Sequence, residues 1–173
     1  MLTNDMELMA TETNRYHEQQ VAAEPNNHKR KWSTVMWDEV EAFIAILIYM
    51  GIVKVPQMHL YWSTDNLIHQ ERVSSIMTQT LFPQTRRFFH LADNSSALPR
   101  EDPSFNKVSR VRQFLDSVLK NSQTLYRLDW GASTDETMVP HRGCLSFKQN
   151  TKNKPVRWGI KLLVLFQAKT GCF

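Results

Sequence analysis

The residues with the clearest chemical potential surround Asp135, in the β-prone run Ser133–Val139, which ends at Pro140 and the turn His141-Arg142-Gly143. A carboxylate on a strand beside a basic segment is typical of metal-dependent phosphoryl-transfer enzymes, which hold two divalent ions with several carboxylates. After Glu136, the sequence contains no further Asp or Glu. Glu136 follows Asp135 directly in a predicted strand, so its side chain should point to the opposite face. Asp135 is therefore a candidate catalytic and metal-binding residue to which the following sequence supplies no partner carboxylate.

Charge is distributed unevenly along the chain, whose formal net charge is +4. Residues 1–139 contain 14 bases and all 17 acids, whereas residues 140–173 contain seven bases and no acid. A basic block next to a strand carboxylate indicates a polyanion near a metal site. A basic face that is simply solvated is the alternative explanation.

Composition limits the class of protein. The 173 residues, 42% of them hydrophobic, suffice for one ordinary domain or slightly more. No apolar run reaches the roughly 18 residues of a membrane span, and the polar, acidic N-terminus does not resemble a secretory signal. Because Cys144 and Cys172 form no CxxC pair, we expect a reducing compartment. Because the six histidines are scattered, we expect no zinc site. The basic residues 28–31 fit either a loop or a nuclear-localisation signal.

The first half of the sequence reads as helical. A helix is predicted over residues 1–20, with a break at Pro25. A second helix should begin at an N-cap, Thr34, and end at Gly51. Its predicted core stripe comprises Trp37, Val40, Phe43, Ile44, Leu47 and Ile48.

Further helices are predicted downstream. Residues 67–92 should form two pieces, with Pro83 in the first turn of the second piece or at a kink. A helix is predicted over residues 105–122. Its inward side chains would be Val108, Val111, Leu115, Val118 and Leu119. On another face would lie Lys107, Arg110 and Arg112. These side chains could contact phosphates or could simply be exposed to solvent, and the sequence leaves both alternatives open.

From Ala132 onward, short β-prone segments replace helical periodicity. The predicted strands are Ser133–Val139, Leu145–Lys148 and Val156–Phe166. The last is nearly continuously apolar, as expected of a strand buried on both faces, and Lys169-Thr170-Gly171 would form the hairpin turn after it. We therefore divide the chain into a helical region, residues 1–131, and the first strands of a sheet, residues 132–173.

Several motifs resemble the piggyBac transposase family and the transposable element-derived proteins related to it. The core of the resemblance is Thr134–Gly143 (TDETMVPHRG), followed by Phe147-Lys148-Gln149, Asn153-Lys154-Pro155 and Arg157–Lys161 (RWGIK). Upstream landmarks occur in family order. They are Glu12–Tyr16 (ETNRY), Ile48–Lys54 (IYMGIVK), Tyr61-Trp62-Ser63 and Phe89–Asn94 (FHLADN).

The resemblance implies an α+β protein, in which a helical dimerisation and DNA-binding unit precedes the first strands of a truncated RNase H-like (DDE) catalytic domain. Members of the family cut and paste DNA with three aspartates that hold two Mg²⁺ ions. Asp135 matches the first aspartate, and the other two have no counterpart here. We therefore expect this chain to bind no Mg²⁺ tightly and to be catalytically inactive by itself.

The same resemblance implies where DNA would be contacted. Five basic residues match those beside the family's active site: Arg142, Lys148, Lys154, Arg157 and Lys161. Expected partners are DNA, through non-specific phosphate contacts, and a second copy in a homodimer; no membrane is expected, and the location should be nuclear. Two alternatives stay open, namely a domesticated, non-catalytic DNA- or protein-binding module and a gene fragment without a stable fold.

Overall fold

The computed structural model describes residues 3–24, 32–96, 98–126, 131–152 and 154–168. The chain divides into two compact units. The first runs to Ser104 and includes Val108–Leu115, and the second comprises Phe105–Lys107 and the chain from Asp116 onward. The predicted domain boundary at residue 131 stays a prediction. The predicted break at Pro25, the basic residues 28–31 and the turn Lys169-Thr170-Gly171 lie outside the described residues.

The first unit is helical. It contains α1 (Thr3–Ala23), α2 (Trp37–Ile52), α3 (Glu71–Ile76), α4 (Leu81–Phe88) and the beginning of α5 (Ser109–Leu125). Short 3-10 helices cover Met58–Trp62 and Asn94–Ser96. The helix over residues 1–20 and the two pieces within residues 67–92 are thus confirmed. Pro83 lies in the first turn of α4, where its missing N–H leaves no intrahelical bond unmade.

Helix α2 forms the centre of the first unit, although its predicted limits were wrong. Its N-cap is Met36 and not Thr34, because the Glu39 carboxylate accepts the Met36 N–H at 2.9 Å. The helix continues through Gly51 to Ile52 and is closed by a bond from Val53 N to Tyr49 O.

The buried stripe of α2 also differs from the predicted one. It consists of Val40, Phe43 and Ile46, while Trp37, Leu47 and Ile48 are exposed. The prediction omitted Ile46, which is fully buried, while Ile44 is partly buried and packs against both core clusters. Two clusters form the core of the unit. One comprises Phe43, Ile46, Tyr61, Val73, Met77 and Phe82, and the other Met9, Ala10, Val35 and Val40.

A polar run on α1 fixes the segment that precedes α2. The Asn14 side chain donates to Val35 O at 2.8 Å and accepts from Val35 N at 2.9 Å and from Trp32 Nε1 at 3.2 Å. Asn14 therefore satisfies the backbone of an extended segment as a neighbouring strand would. Because these bonds are partly buried, losing them would leave polar groups without compensation.

The same run of α1 fixes the loop after α4. Buried Thr13 Oγ1 accepts from His90 N at 3.2 Å and lies 3.5 Å from His90 O, and the rings of Tyr16 and His90 are stacked 3.5 Å apart. Arg15 reaches Asp93 Oδ2 at 3.3 Å. Hydrogen bonds from Ser95, followed by one from Gln19, lower the pKa of Asp93 to about 2.

Helix α5 contradicts the burial predicted for it. It begins at Ser109, so Lys107 precedes the helix, and it has no buried side chain. Leu115, Val118 and Leu119 are exposed because no described residue covers that apolar face. None of the described helices is long and apolar enough to cross a membrane.

The second unit carries an antiparallel sheet in the order β1-β3-β2, with β1 at Ala132–Pro140, β2 at Gln149–Asn150 and β3 at Trp158–Gln167. The first and the last of the three predicted strands, Ser133–Val139 and Val156–Phe166, are confirmed as β1 and β3. The predicted strand Leu145–Lys148 is wrong, since a bond from Lys148 N to Leu145 O closes a turn there. Pairing begins only at Gln149.

Burial of β3 on both faces is also wrong for the described part of the chain. Leu163 is 78% exposed, and Leu162 and Leu165 are exposed as well. The strand was predicted from its continuous apolar character. A continuous apolar run shows that a strand could be buried on both faces. In this structure, no described residue covers these side chains of β3.

Gly159 sets how closely β3 approaches β1. It lies opposite Pro140 in β1 and opposite Gln149 in β2. A Cβ at this position would lie 2.2 Å from Val139 O and 2.9 Å from Val139 C. These are backbone atoms, so they cannot rotate away as the end of a side chain could.

We expect Gly159→Ala to destabilise the sheet by about 1–3 kcal/mol, the usual cost of forcing an extra methyl group into a packed site. Hydrogen exchange of the β1 and β3 amides measures this change. Gly51→Ala is the matched control, because its Cβ would meet nothing within 4 Å. In helix α2, that replacement should stabilise by about 0.5–1 kcal/mol. Unchanged exchange in Gly159→Ala would contradict the close approach.

A second prediction concerns His90. Burial, assisted by the charge of Arg110, lowers its pKa below the ordinary 6.5, against the opposing effects of Phe88, Phe89 and Glu12. As the pH falls through 6.5, the unfolded chain therefore takes up a proton before the folded chain does. Stability contributed by neutral His90 is complete above pH 6.5 and is lost as the pH falls towards the lower, folded-state pKa.

Thermal unfolding at a series of pH values between neutral and acidic tests this expectation. The wild-type chain should lose more stability over that interval than His90→Gln does. Exposed His59 supplies the control, and His59→Gln should keep the wild-type dependence. Equal pH dependence in the wild type and His90→Gln would exclude His90 as the cause.

Candidate nucleic-acid interface

Asp135 lies in the middle of β1, opposite Val164 of β3. Its side chain is 71% exposed, and its Oδ1 accepts the N–H of Glu136 at 2.7 Å. Lys154 Nζ donates to the backbone oxygen of Glu136 at 3.1 Å and lies 3.9 Å from Asp135 Oδ1. An exposed carboxylate with a lysine beside it is accessible to a cation or to the phosphate of a metal complex.

Glu136 takes a different partner. Its carboxylate forms an ion pair with Lys161 of β3, which stands diagonally across the two strands. Cross-strand pairs of opposite charge stabilise a sheet modestly. Lys161 is therefore occupied by an acid of the same sheet, whereas the sequence predicted it as a phosphate contact.

The described residues do not complete a Mg²⁺ site. They contain no group of three or more His, Cys, Asp or Glu side chains placed to hold a metal ion. Asp135 offers one carboxylate, and Glu136 is engaged by Lys161. A two-metal centre needs several carboxylates around both ions, so no catalytic step can be assigned to a metal from these residues.

A basic pocket of about 600 Å³ lies at the end of β1 and the start of β3. We call it the β1–β3 pocket. It is lined by Pro140, His141, Arg142, Lys148, Pro155, Val156, Arg157 and Trp158. Three of these side chains are the basic Arg142, Lys148 and Arg157, and none of the described lining residues is acidic. The pocket therefore favours an anion.

Backbone hydrogen bonds build the pocket from both sides of β3. His141 N lies 3.5 Å from Trp158 O, which extends the pairing with β1 beyond Pro140. Thr151 N donates to Arg157 O at 2.8 Å on the side of β2. Arg157 and Trp158 are thus held by both neighbouring strands, so their side chains start from a fixed backbone.

Lys148 crosses the pocket from the loop that precedes β2. Its Nζ donates to Gly143 O at 3.1 Å and lies 5.4 Å from the centroid of the Trp158 ring. A lysine ammonium within about 6 Å of an aromatic ring is attracted by the ring's negative face. The contact holds a cation beside Trp158 and leaves part of the ring open.

The five basic residues predicted as DNA contacts thus fall into two groups. Arg142, Lys148 and Arg157 line the β1–β3 pocket together. Lys154 and Lys161 lie instead against acidic residues of β1. Lys107, Arg110 and Arg112 do not line the pocket.

Trp158 and His141 were missed as site residues by sequence reasoning. Trp158 was noticed only as part of the motif Arg157–Lys161, although an aromatic between basic residues is a known signal for nucleic-acid binding. His141 was predicted only as part of the turn His141-Arg142-Gly143. Both line the pocket because the pairing of Gly159 with Pro140 brings the two motifs side by side.

Comparisons with known proteins agree with the motifs. A family model described as Transposase IS4 matches residues 3–172. PiggyBac transposable element-derived protein 3 of Homo sapiens is 28% identical over 123 residues, which are 71% of this chain and 20% of that protein. PiggyBac transposable element-derived protein 2 of Homo sapiens is 27% identical over 124 residues, or 72% of this chain and 20% of that protein. The chain thus spans about a fifth of these relatives.

One solved structure shares the fold. It is a cryo-EM structure described as a piggyBac transposase synaptic complex with hairpin DNA. It matches 96% of this chain and 34% of its own chain, with a TM-score of 0.74 and 21% identity. These matches confirm the predicted family resemblance and the α+β fold, with helices and a small antiparallel sheet.

We expect Mg²⁺ to leave the stability of this chain unchanged, because the described residues contain no group of three or more His, Cys, Asp or Glu side chains placed to hold the ion. An ion that binds the folded state tightly would raise the unfolding midpoint by mass action. The measurement compares thermal unfolding in excess Mg²⁺ and in EDTA, for the wild type and Asp135→Asn. A Mg²⁺-dependent rise that Asp135→Asn abolishes would reveal a metal site at Asp135.

Proposed function

Because this chain belongs to the transposase family described as Transposase IS4, we propose that it binds DNA through the sugar-phosphate backbone. The observation that carries the proposal is the β1–β3 pocket, where Arg142, Lys148 and Arg157 converge without an acidic neighbour in the described lining. The structural neighbour is described as a complex with hairpin DNA, which supports the same partner class.

Phosphate is the part of DNA that this chemistry suits. Arginine presents a planar fork of donors that matches phosphate oxygens, and lysine supplies a point charge. Neither contact depends on base sequence, so binding should be non-specific and sensitive to salt. The location that goes with such a partner is the nucleus.

We further propose that the sheet begins an RNase H-like catalytic core in which Asp135 is the first metal-binding aspartate. Its position on the long strand β1 and its exposed carboxylate support this role. So does the fold shared with a piggyBac transposase over 96% of the chain. In the complete family site, the bound ions would be Mg²⁺. The other carboxylates that hold them would come from segments other than those described.

Binding without cleavage is the function we propose for this chain by itself. Cleavage with two metals needs more carboxylates than Asp135 and the lysine-bound Glu136 provide. A non-catalytic DNA-binding module descended from a transposase would behave in the same way. Nicking of supercoiled plasmid by the purified chain in Mg²⁺ would contradict this part of the proposal.

We expect Arg142→Ala and Arg157→Ala each to weaken duplex binding. Each should also reduce the slope of log affinity against log salt by about 0.9 for every phosphate that the variant no longer neutralises. Fluorescence anisotropy over a salt series measures both quantities. Lys161→Ala should have a smaller effect, because Glu136 already pairs with that ammonium group.

Lys152→Ala is the matched control. Lys152 is exposed in the same unit but does not line the pocket, so its replacement removes one positive charge elsewhere. The affinity of Lys152→Ala for the duplex, and the slope of its log affinity against log salt, should stay close to the wild-type values. A loss equal to that of Arg157→Ala would show that net charge, and not the pocket, governs binding. Failure of the wild type to bind at low salt would reject the proposed function.

A further inference from the structure

Trp158 is the feature of the β1–β3 pocket that phosphate binding does not explain. It is 56% exposed and lines the pocket together with Pro140 and Pro155. Its backbone lies in β3, next to Gly159, and Trp158 pairs with Asn150 of β2. A large aromatic ring is therefore presented to solvent from a rigid position.

One cation lies over this ring, and two more line the same pocket. Lys148 Nζ lies 5.4 Å from its centroid, and Arg142 and Arg157 line the same pocket. Charge alone would suffice to hold the outside of a duplex. In a duplex, the faces of the bases are already stacked on one another, so an aromatic ring gains nothing from them. An unpaired base has a free face, and it stacks on aromatic side chains beside a positively charged groove.

The size of the pocket fits such an occupant. Its volume of about 600 Å³ lies within the roughly 300–1,000 Å³ of small-ligand pockets. We propose that the β1–β3 pocket binds an unpaired nucleotide of DNA, whose base stacks on Trp158 and whose phosphate contacts Arg142 and Arg157. This inference rests on the proposed DNA binding and adds a preference for single-stranded over fully paired DNA.

The experiment compares two fluorescent probes at one salt concentration. One is a short blunt duplex, and the other is the same duplex with an unpaired oligothymidine tail at one 3′ end. The wild type should bind the tailed duplex more tightly. Trp158→Ala should weaken binding to the tailed duplex by roughly 5- to 150-fold, which corresponds to ~1–3 kcal/mol for one stacked base at 1.36 kcal/mol per tenfold change. Its affinity for the blunt duplex should stay within about twofold, since only the base pairs at the two ends of that probe expose a base face.

Two further variants make the test specific. Trp158→Phe keeps an aromatic face and should retain most of the preference for the tail. Trp37→Ala removes another exposed tryptophan, from α2 in the other unit, and should bind both probes as the wild type does. Circular dichroism of each variant confirms that the strands are intact.

The outcomes separate this inference from the proposed function. Equal binding of both probes by the wild type, or an equal loss for both in Trp158→Ala, would overturn the unpaired-base site and leave phosphate binding standing. Tighter binding of an RNA tail than of the matching DNA tail would overturn the assignment to DNA. Absence of binding to both DNA probes would reject the proposed function and this inference together.

Discussion

The close approach of β3 to β1 at Gly159 is the constraint on which the candidate site depends. A side chain there would meet the backbone of Val139 at 2.2 Å, so only glycine allows the strands to pair at this point. The pairing has two consequences at once. It fixes Asp135 opposite Val164 in the middle of the edge strand β1, and it brings Arg157 and Trp158 to the end of β1 beside Arg142. The positions of the Asp135 carboxylate and of the β1–β3 pocket thus both depend on the pairing of β1 with β3.

Within the pocket, the cations and the aromatic ring interact with a bound molecule over different distances. Arg142 and Arg157 supply long-range attraction for any polyanion, which salt screens. Trp158 acts only at contact distance and responds to the exposed face of a base. Lys148 couples the two effects, because it is hydrogen-bonded to Gly143 O and also lies over the ring of Trp158. In the proposed DNA complex, affinity and preference for a form of DNA would therefore be carried by separable side chains.

The sequence predicted those features that local patterns encode. The strand that holds Asp135 could be predicted because its β-prone residues end at a proline and a glycine turn. For Pro83, the sequence allowed a helix start or a kink, and the structure has the helix start. Burial could not be predicted in the same way. The apolar faces of α5 and β3 have the pattern of core elements, yet Leu119 and Leu163 are exposed. Pattern reveals which face is able to be buried, while burial itself depends on what lies against it. The pocket escaped prediction for a related reason, since Arg142 and Trp158 are neighbours only through strand pairing.

The contacts between α1 and the loop after α4 also bear on how the chain is made. Thr13 and His90, which hydrogen-bond to each other, are 77 residues apart. At roughly 5–20 residues per second, a ribosome needs about 4–15 s to synthesise the intervening chain. During that interval, α1 can already pack against Val35 and Val40, whereas Thr13 lacks its native partner His90. The N-terminal helix therefore has two sets of native partners that become available at different times, first the segment before α2 and later the loop after α4.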